Sequence, residues 1–180
     1  GPYLIDGASP LRARPMGPLH DSLHALGARL EPENEWGHLP VTVSGPVGGA
    51  DAIVMPGDVS SQYVTALMLI APLIRDGLSL GLSTDLVSRP YVEITKAVMR
   101  SFGAIDVHIA HRHVTVAESG YRATRYEVEP DASSASYPLA AAAIVGGAVR
   151  VRGLGRNSLQ GDAVFCDVLE QMGCLVTTGP

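Results

Sequence analysis

The residues best suited to chemistry stand in short polar runs placed just ahead of apolar stretches. Asp58-Val59-Ser60-Ser61-Gln62 offers two hydroxyls and an amide, and Asp131-Ala132-Ser133-Ser134 offers much the same. Asn157-Ser158-Leu159-Gln160 is a third case, and Ser88-Arg89-Pro90 sets a proline at a first helical position after a serine. One such side chain satisfies an orphan N–H at a helix start. The surplus leaves two readings open, plain capping or an anion site, because free N–H groups and the positive dipole end both favour a phosphate. Arg12-Ala13-Arg14-Pro15-Met16-Gly17 brings two guanidinium groups to another helix start. The dipole disfavours a cation there, so Arg14 is either a solvated surface residue or the partner of an anion lying between it and the helix. Apart from Lys96, every lysine or arginine in the chain is arginine, whose planar fork grips phosphate and carboxylate at two points.

Other constellations carry less. His20 and His24 stand at i and i+4, the spacing of zinc proteases, but the position after the first histidine is Asp21 rather than the glutamate that serves as general base. No third ligand follows, so the pair is expected on a solvated helix face and no metal is expected. His111-Arg112-His113 is assigned to a hairpin tip, and Gly45-Pro46-Val47-Gly48-Gly49 to a turn without the lysine of a phosphate loop. Cys166, beside Phe165 and Leu169, reads as inert packing. Asp131 reads as a helix-start carboxylate rather than a general base.

The elements that must position these side chains emerge when the chain is compared with itself. Leu26-Gly27-Ala28, Phe102-Gly103-Ala104 and Met172-Gly173-Cys174 each close an amphipathic stretch and precede a strand-like one. Ser60-Ser61-Gln62-Tyr63 and Ser133-Ser134-Ala135-Ser136-Tyr137 each open an apolar helix that ends at a glycine turn, followed by an alternating strand. Matching landmarks lie 70 to 76 residues apart, the length of a supersecondary unit rather than a solenoid repeat. The unit reads βαβαββ: a strand at 52–55, a helix over 60–74 apolar on nearly all sides and hence buried on nearly all sides, and a strand at 78–82. A helix over 90–102 follows, with Tyr91, Ile94, Val98 and Phe102 inward and Glu93, Lys96 and Arg100 outward. Strands at 105–110 and 114–117 close the unit as a hairpin. A lone strand at Tyr3–Ile5 opens the chain at the second half of one such unit, and Leu175-Val176-Thr177 is expected to begin an unpartnered strand at the other end. That pattern leads to the expectation of an internal fragment of a longer chain.

Composition excludes several classes. With 180 residues, 46% hydrophobic and 17% charged, the chain supports a real core and is not disordered. The net charge of −5 argues against a surface that holds long nucleic acid. No apolar run is long enough to span a bilayer, and Gly1-Pro2-Tyr3-Leu4 is not expected to be a signal peptide. Two cysteines suit a reducing compartment, so a cytoplasmic location is expected.

Arg12-Ala13-Arg14-Pro15-Met16-Gly17-Pro18-Leu19, Val59-Ser60-Ser61-Gln62-Tyr63, Leu86-Val87-Ser88-Arg89-Pro90-Tyr91, Asp131-Ala132-Ser133-Ser134-Ala135-Ser136-Tyr137 and Asn157-Ser158-Leu159-Gln160-Gly161-Asp162 together resemble the signatures of the 5-enolpyruvylshikimate-3-phosphate synthase family. The resemblance runs in order along essentially the whole chain. The related enolpyruvyl transferases acting on UDP-sugars share the family fold but match these motifs less well. The resemblance implies an α/β fold of repeated βαβαββ units, the inside-out α/β barrel of the enolpyruvyl transferases, incomplete here at both ends. It implies that residues 1–129 belong to the shikimate-phosphate-binding lobe, with one complete and one partial unit, and that 130–180 begin a second lobe. The implied reaction transfers the enolpyruvyl group of phosphoenolpyruvate to the 5-hydroxyl of shikimate 3-phosphate, in aromatic amino-acid biosynthesis, with no cofactor and no metal. By the same resemblance Ser60, Ser61, Gln62 and Ser88 would bind shikimate 3-phosphate, Arg14 and Gln62 would bind phosphoenolpyruvate, and Tyr91 would line the shikimate side. The parent would be a two-lobed monomer with small-molecule partners only. The family's acid and base groups match nothing in these residues, and Lys96 sits on an ordinary charged helix face. The isolated chain is therefore expected to be inactive, a phosphometabolite-binding module in its own right.

Overall fold

Alternation decides the architecture of the central sheet. Ile53, Met55, Leu78, Leu80, Leu82, Val107, Val114 and Val116 are buried, while Val54, Ser79, His108, His113 and Thr115 between them are not. With side chains pointing to opposite faces in turn, the first set lines one face of a sheet and the second the other. The computed structural model describes residues 1–48 and 52–179. These divide into two compact units, Gly1–Ala123 and Thr124–Pro180.

The first unit opens with strand β1 (Tyr3–Ile5), a four-residue helix α1 (Ser9–Arg12), helix α2 (Gly17–Ala25), and strands β2 (Arg29–Pro32) and β3 (Val41–Ser44). It continues with β4 (Ile53–Met55), α3 (Ser61–Ile70), β5 (Leu78–Leu82), α4 (Arg89–Ser101), β6 (Val107–Ile109) and β7 (His113–Val116). The second run, from β4 to β7, is the expected βαβαββ order. Its sheet runs β4-β5-β7-β6; β4 lies parallel to β5, with Ile53 opposite Leu80, and the other pairs are antiparallel. The first sheet runs β1-β3-β2, all antiparallel, which reproduces the order β5-β7-β6. The internal repeat is therefore real. Where β5 is flanked by β4, β1 is an open edge with Tyr3, Leu4 and Ile5 all exposed. Both sheets are open, and the described residues close no barrel.

The core lies between the central sheet and two helices. Val64, Leu67, Met68 and Ala71 from α3 and its continuing turn, with Val92 and Met99 from α4, cover the apolar sheet face, and Leu26 joins them after α2. A smaller cluster of Ala28, Leu30, Leu39 and Val41 backs the first sheet.

Four expectations for the first unit need correction. The helix over 60–74 is two pieces, since α3 stops at Ile70 and Ala71–Leu73 is a 3-10 turn at Pro72. It is not buried all round: Gln62 and Leu69 face solvent, because the sheet covers only one side. The inward face of α4 is Val92, Thr95 and Met99, whereas Tyr91 is 51% exposed. One residue of rotation separates the two faces, and Thr95 can face inward because its hydroxyl is satisfied locally, donating to the Tyr91 carbonyl at 2.8 Å. Only half of the histidine pair lies on a solvated face, since His24 is exposed and His20 is not. His20 is 3% exposed and stacks edge-on against Trp36, which His24 also meets edge-on. The groups of histidine, cysteine and carboxylate among the described residues form no metal cluster. The turn expected at Gly45–Gly49 falls partly on residues outside the described ones.

In the second unit, α5 (Ala132–Val145) and α6 (Phe165–Gln171) are joined by a loop and a 3-10 turn at Gly161–Val164. The strands expected after Gly147 and at 175–177 are not formed, since no residue of 124–179 belongs to a ladder. A single extended segment has no neighbour to satisfy its N–H and C=O groups. No described helix is long and apolar enough to cross a membrane.

Candidate functional site

Because β4 and β5 are parallel and each is followed by a helix, α3 and α4 both begin at the same end of the sheet. The loops leading into them are tied together. The Val87 N–H donates to the Gly57 carbonyl at 3.0 Å, and Ser83 N–H to the Met55 carbonyl at 3.0 Å. Thr84 Oγ1 accepts from the N–H groups of Gly57 (2.9 Å) and Asp58 (3.2 Å) while donating to Asp58 Oδ1 at 2.8 Å. Gly57 is required by this approach, since a Cβ there would lie 2.8 Å from the Thr84 carbonyl oxygen. The helices then run side by side, with Thr65 and Thr95 hydroxyls 3.0 Å apart.

At the mouth of α3, Ser60 is the N-cap and its Oγ accepts from the Gln62 N–H at 3.2 Å. The Gln62 side chain is exposed, and Ser61 is nearly buried beside it. At the mouth of α4, Ser88 holds the left-handed conformation (φ 53°, ψ 42°) and its side chain makes no cap bond. A non-glycine residue in that region costs on the order of 1 kcal/mol. A serine that is strained and yet does not cap is withheld from the ordinary job of its position. Neither α3 nor α4 carries an acidic residue in its first turn, so no carboxylate of those turns answers the positive dipole ends.

The two arginines ahead of α2 are separated by the structure. Arg12 lies in the last turn of α1 and is paired with Asp6, Nε to Oδ1 at 2.7 Å and Nη2 to Oδ2 at 2.5 Å. That guanidinium holds the Asp6 carboxyl below its ordinary range, with help from the Gly7 N–H. Arg14 has no side-chain hydrogen bond or ion pair among the described residues. Its loop is joined to α3 by the Tyr63 hydroxyl, which donates to the Pro15 carbonyl at 2.5 Å. The segment bearing Arg14 is therefore bonded to α3, and the loop before α3 is in turn bonded to the loop before α4. Ser61, Gln62, Ser88 and Arg14 hold side-chain donors there that no described neighbour uses.

The remaining hydroxyl-rich starts are the contrast. At α5, Asp131 Oδ1 accepts from the Ser133 N–H (3.0 Å) and Asp131 Oδ2 from the Ser134 hydroxyl (2.6 Å), while the Ser133 hydroxyl donates to Asp162. The Ser134 bond and those from the N–H groups keep the Asp131 carboxyl below its ordinary range, as expected for a capping carboxylate. Gln160 is consumed too: its Oε1 accepts from the Ala132 N–H at 2.8 Å, and its Nε2 donates to the Pro130 carbonyl at 2.7 Å. At these starts capping is what the side chains do. Sequence reasoning missed Thr84 and the Tyr63 hydroxyl as the ties that gather the first-unit loops; the only available signals were a threonine in the loop before α4 and a polar tip on a tyrosine of α3.

Comparison with known proteins matches the chain as a whole to a family. The chain is 43% identical over 182 residues to the 3-phosphoshikimate 1-carboxyvinyltransferase of Thiobacillus denitrificans, covering 100% of this chain and 42% of that protein. It is 45% identical over 182 residues to that of Pectobacterium atrosepticum, covering 99% and 42%. EPSP synthase from Acinetobacter baumannii superposes with a TM-score of 0.72 at 25% identity, over 96% of this chain and 38% of that one. The chain thus spans about 42% of the length of the curated relatives it matches. The EPSP synthase (3-phosphoshikimate 1-carboxyvinyltransferase) family model fits residues 1–180, and with relatives this similar the chain belongs to that family.

Proposed function

We propose that these residues supply the substrate-grasping part of an enzyme that transfers the enolpyruvyl group of phosphoenolpyruvate to the 5-hydroxyl of shikimate 3-phosphate. Ser60, Ser61 and Ser88 hold the phosphate of shikimate 3-phosphate at the starts of α3 and α4. Gln62 reaches both substrates, and Arg14 takes phosphoenolpyruvate by its carboxylate or phosphate. The observation that carries this reading is the set of uncommitted donors on Ser61, Gln62 and Ser88 at one end of the βαβαββ unit, with Arg14 on the preceding segment tied to α3 through Tyr63, beside two helix starts whose dipoles no first-turn carboxylate offsets. Two polyanions repel each other, and N–H groups, hydroxyls and a guanidinium aimed at one place offset that repulsion. Addition and elimination at the enolpyruvyl carbon also need a positioned acid and base. Lys96 is unsuited to either role, being on the flank of α4 with its Nζ 4.0 Å from Glu93 Oε2. By the family resemblance, the proton-transfer groups come from residues outside these 180.

Calorimetry of the 180-residue chain with shikimate 3-phosphate, run beside a turnover assay, tests both halves of the proposal. The expected result is saturable binding with no product. Turnover by this chain alone would show that it holds its own acid and base. Absence of binding to the folded chain would remove the phosphate site from the starts of α3 and α4.

A further inference from the structure

Ser60-Ser61-Gln62 has a fourth member whose chemistry the substrate reading does not use. Tyr63 packs its ring against the central core, and its hydroxyl leaves α3 to donate to the Pro15 carbonyl, 48 residues earlier in the chain. Pro15 follows Arg14 directly, and Tyr63 follows Gln62 directly. The bond therefore joins the segment bearing the phosphoenolpyruvate arginine to the helix start bearing the phosphate serines. On its other side that segment is held by the Met16 N–H, which donates to the Gly37 carbonyl at 2.6 Å. Gly37 is in turn docked on α2, its N–H donating to His20 Nδ1 at 3.2 Å. Arg14 itself is exposed and has no side-chain partner among the described residues, so its place relative to Gln62 is set through its backbone: its own N–H donates to the Leu11 carbonyl at 3.1 Å, and of these bonds only that of Tyr63 ties the segment to α3.

We infer that Tyr63 is a positioning residue for phosphoenolpyruvate: its hydroxyl fixes the distance between Arg14 and the shikimate 3-phosphate subsite. The inference rests on the roles proposed above for Arg14, Ser60, Ser61 and Gln62. An arginine on a long flexible stem loses grip when its backbone shifts by an ångström, whereas the serines stand at the starts of α3 and α4 and do not depend on the tie. Removing the hydroxyl should thus separate the two substrates in their response.

The test is Tyr63→Phe in the full-length enzyme, which keeps the ring in the core and deletes only the donor. KM for phosphoenolpyruvate is expected to rise about three- to tenfold, the range of one neutral hydrogen bond. Binding of shikimate 3-phosphate alone and kcat should stay within about twofold. Arg14→Ala should raise KM for phosphoenolpyruvate by about 10- to 100-fold, and adding Tyr63→Phe to it should cost nothing more, because the tyrosine acts only through the arginine. An unchanged KM in Tyr63→Phe, equal weakening of both substrates, or additive losses in the double variant would overturn the inference while leaving the substrate reading intact. A wild-type enzyme that neither binds shikimate 3-phosphate nor turns over would overturn both.

Discussion

Single side chains separate the helix starts that are merely capped from those that are left open. Asp131, Ser133, Ser134 and Gln160 spend their polar atoms on one another and on backbone, whereas Ser88 bends into a left-handed conformation and caps nothing. The same scale shows how a surface loop is held by a buried ring. His20 Nδ1 accepts from the Gly37 N–H, which requires that nitrogen unprotonated, and burial pushes the imidazole below its ordinary value of 6.5. Asp21 opposes that shift and His38 adds to it. With the folded pKa depressed, the unfolded chain binds the proton first as pH falls. Stability is therefore full above about pH 7 and is lost as pH drops through 6.5 toward the folded value. His20→Asn keeps an acceptor for Gly37 but cannot titrate, so thermal melts from pH 8 to pH 5 should show a smaller acid loss in the variant than in the wild type. Parallel curves would mean that His20 carries none of the dependence. Residue type and order marked the serines, Gln62 and Arg14 as candidates beside Ser133, Ser134 and Gln160, and it was the family resemblance that grouped them as one site. Local sequence could not tell Arg12 from Arg14, because pairing with Asp6 depends on how α1 turns the chain. Nor could it tell that His20 is buried, because Trp36, sixteen residues on, provides the cover.

Elements carry the connection between the two helix starts. Parallel pairing of β4 and β5 sends α3 and α4 off from one edge, but pairing alone leaves two independent loops. Thr84 closes the gap by taking two N–H groups from Gly57 and Asp58 and returning its own proton to Asp58. Thr84→Val preserves shape and removes all three bonds, leaving two backbone donors of the tight turn without their acceptor. A loss of about 1 to 3 kcal/mol is expected in denaturant unfolding. Because the loops hold Ser60 and Ser88 in register, binding of shikimate 3-phosphate should weaken as well, while Thr84→Ser should restore both. Full stability and affinity in Thr84→Val would show that backbone bonds alone hold the loops. At this scale the sequence was informative wherever one periodicity ruled, as in β5 and the β6–β7 hairpin. It misled on α4, where apolar residues populate two adjacent faces and a locally satisfied threonine points inward.

Across the whole molecule, apolar burial is uneven in a way that predicts behaviour. Both core clusters belong to residues before Ala123, and beyond it the buried hydrophobics among the described residues are Ala132, Ala135 and Leu169. Alanines bury little area, so the second unit has little of the term that dominates folding. Its main helix, α5, exposes Tyr137 (78%) and Ile144 (83%) and contains Pro138, which breaks the internal bonding of a segment already near the minimum length for helix stability. What fixes it is the polar set at its start, Asp131 with Ser133 and Ser134, and Gln160 bridging Pro130 and Ala132. Those bonds orient the first turn but do not resist opening of the rest. Amide exchange of the 180-residue chain should therefore fall into two classes. Amides of α3, β5 and β7 should exchange only by global unfolding, and those in the second half of α5 should exchange by local opening, about 100-fold faster or more. Segments read by mass spectrometry over a time course would report both classes in one experiment. Equal protection of α5 and β5 would mean that the second unit draws its stability from a source other than buried apolar area. The repeat in the sequence could announce the unit but not this asymmetry, because a motif records which residues a helix start carries and not whether neighbours are present to cover the helix behind it.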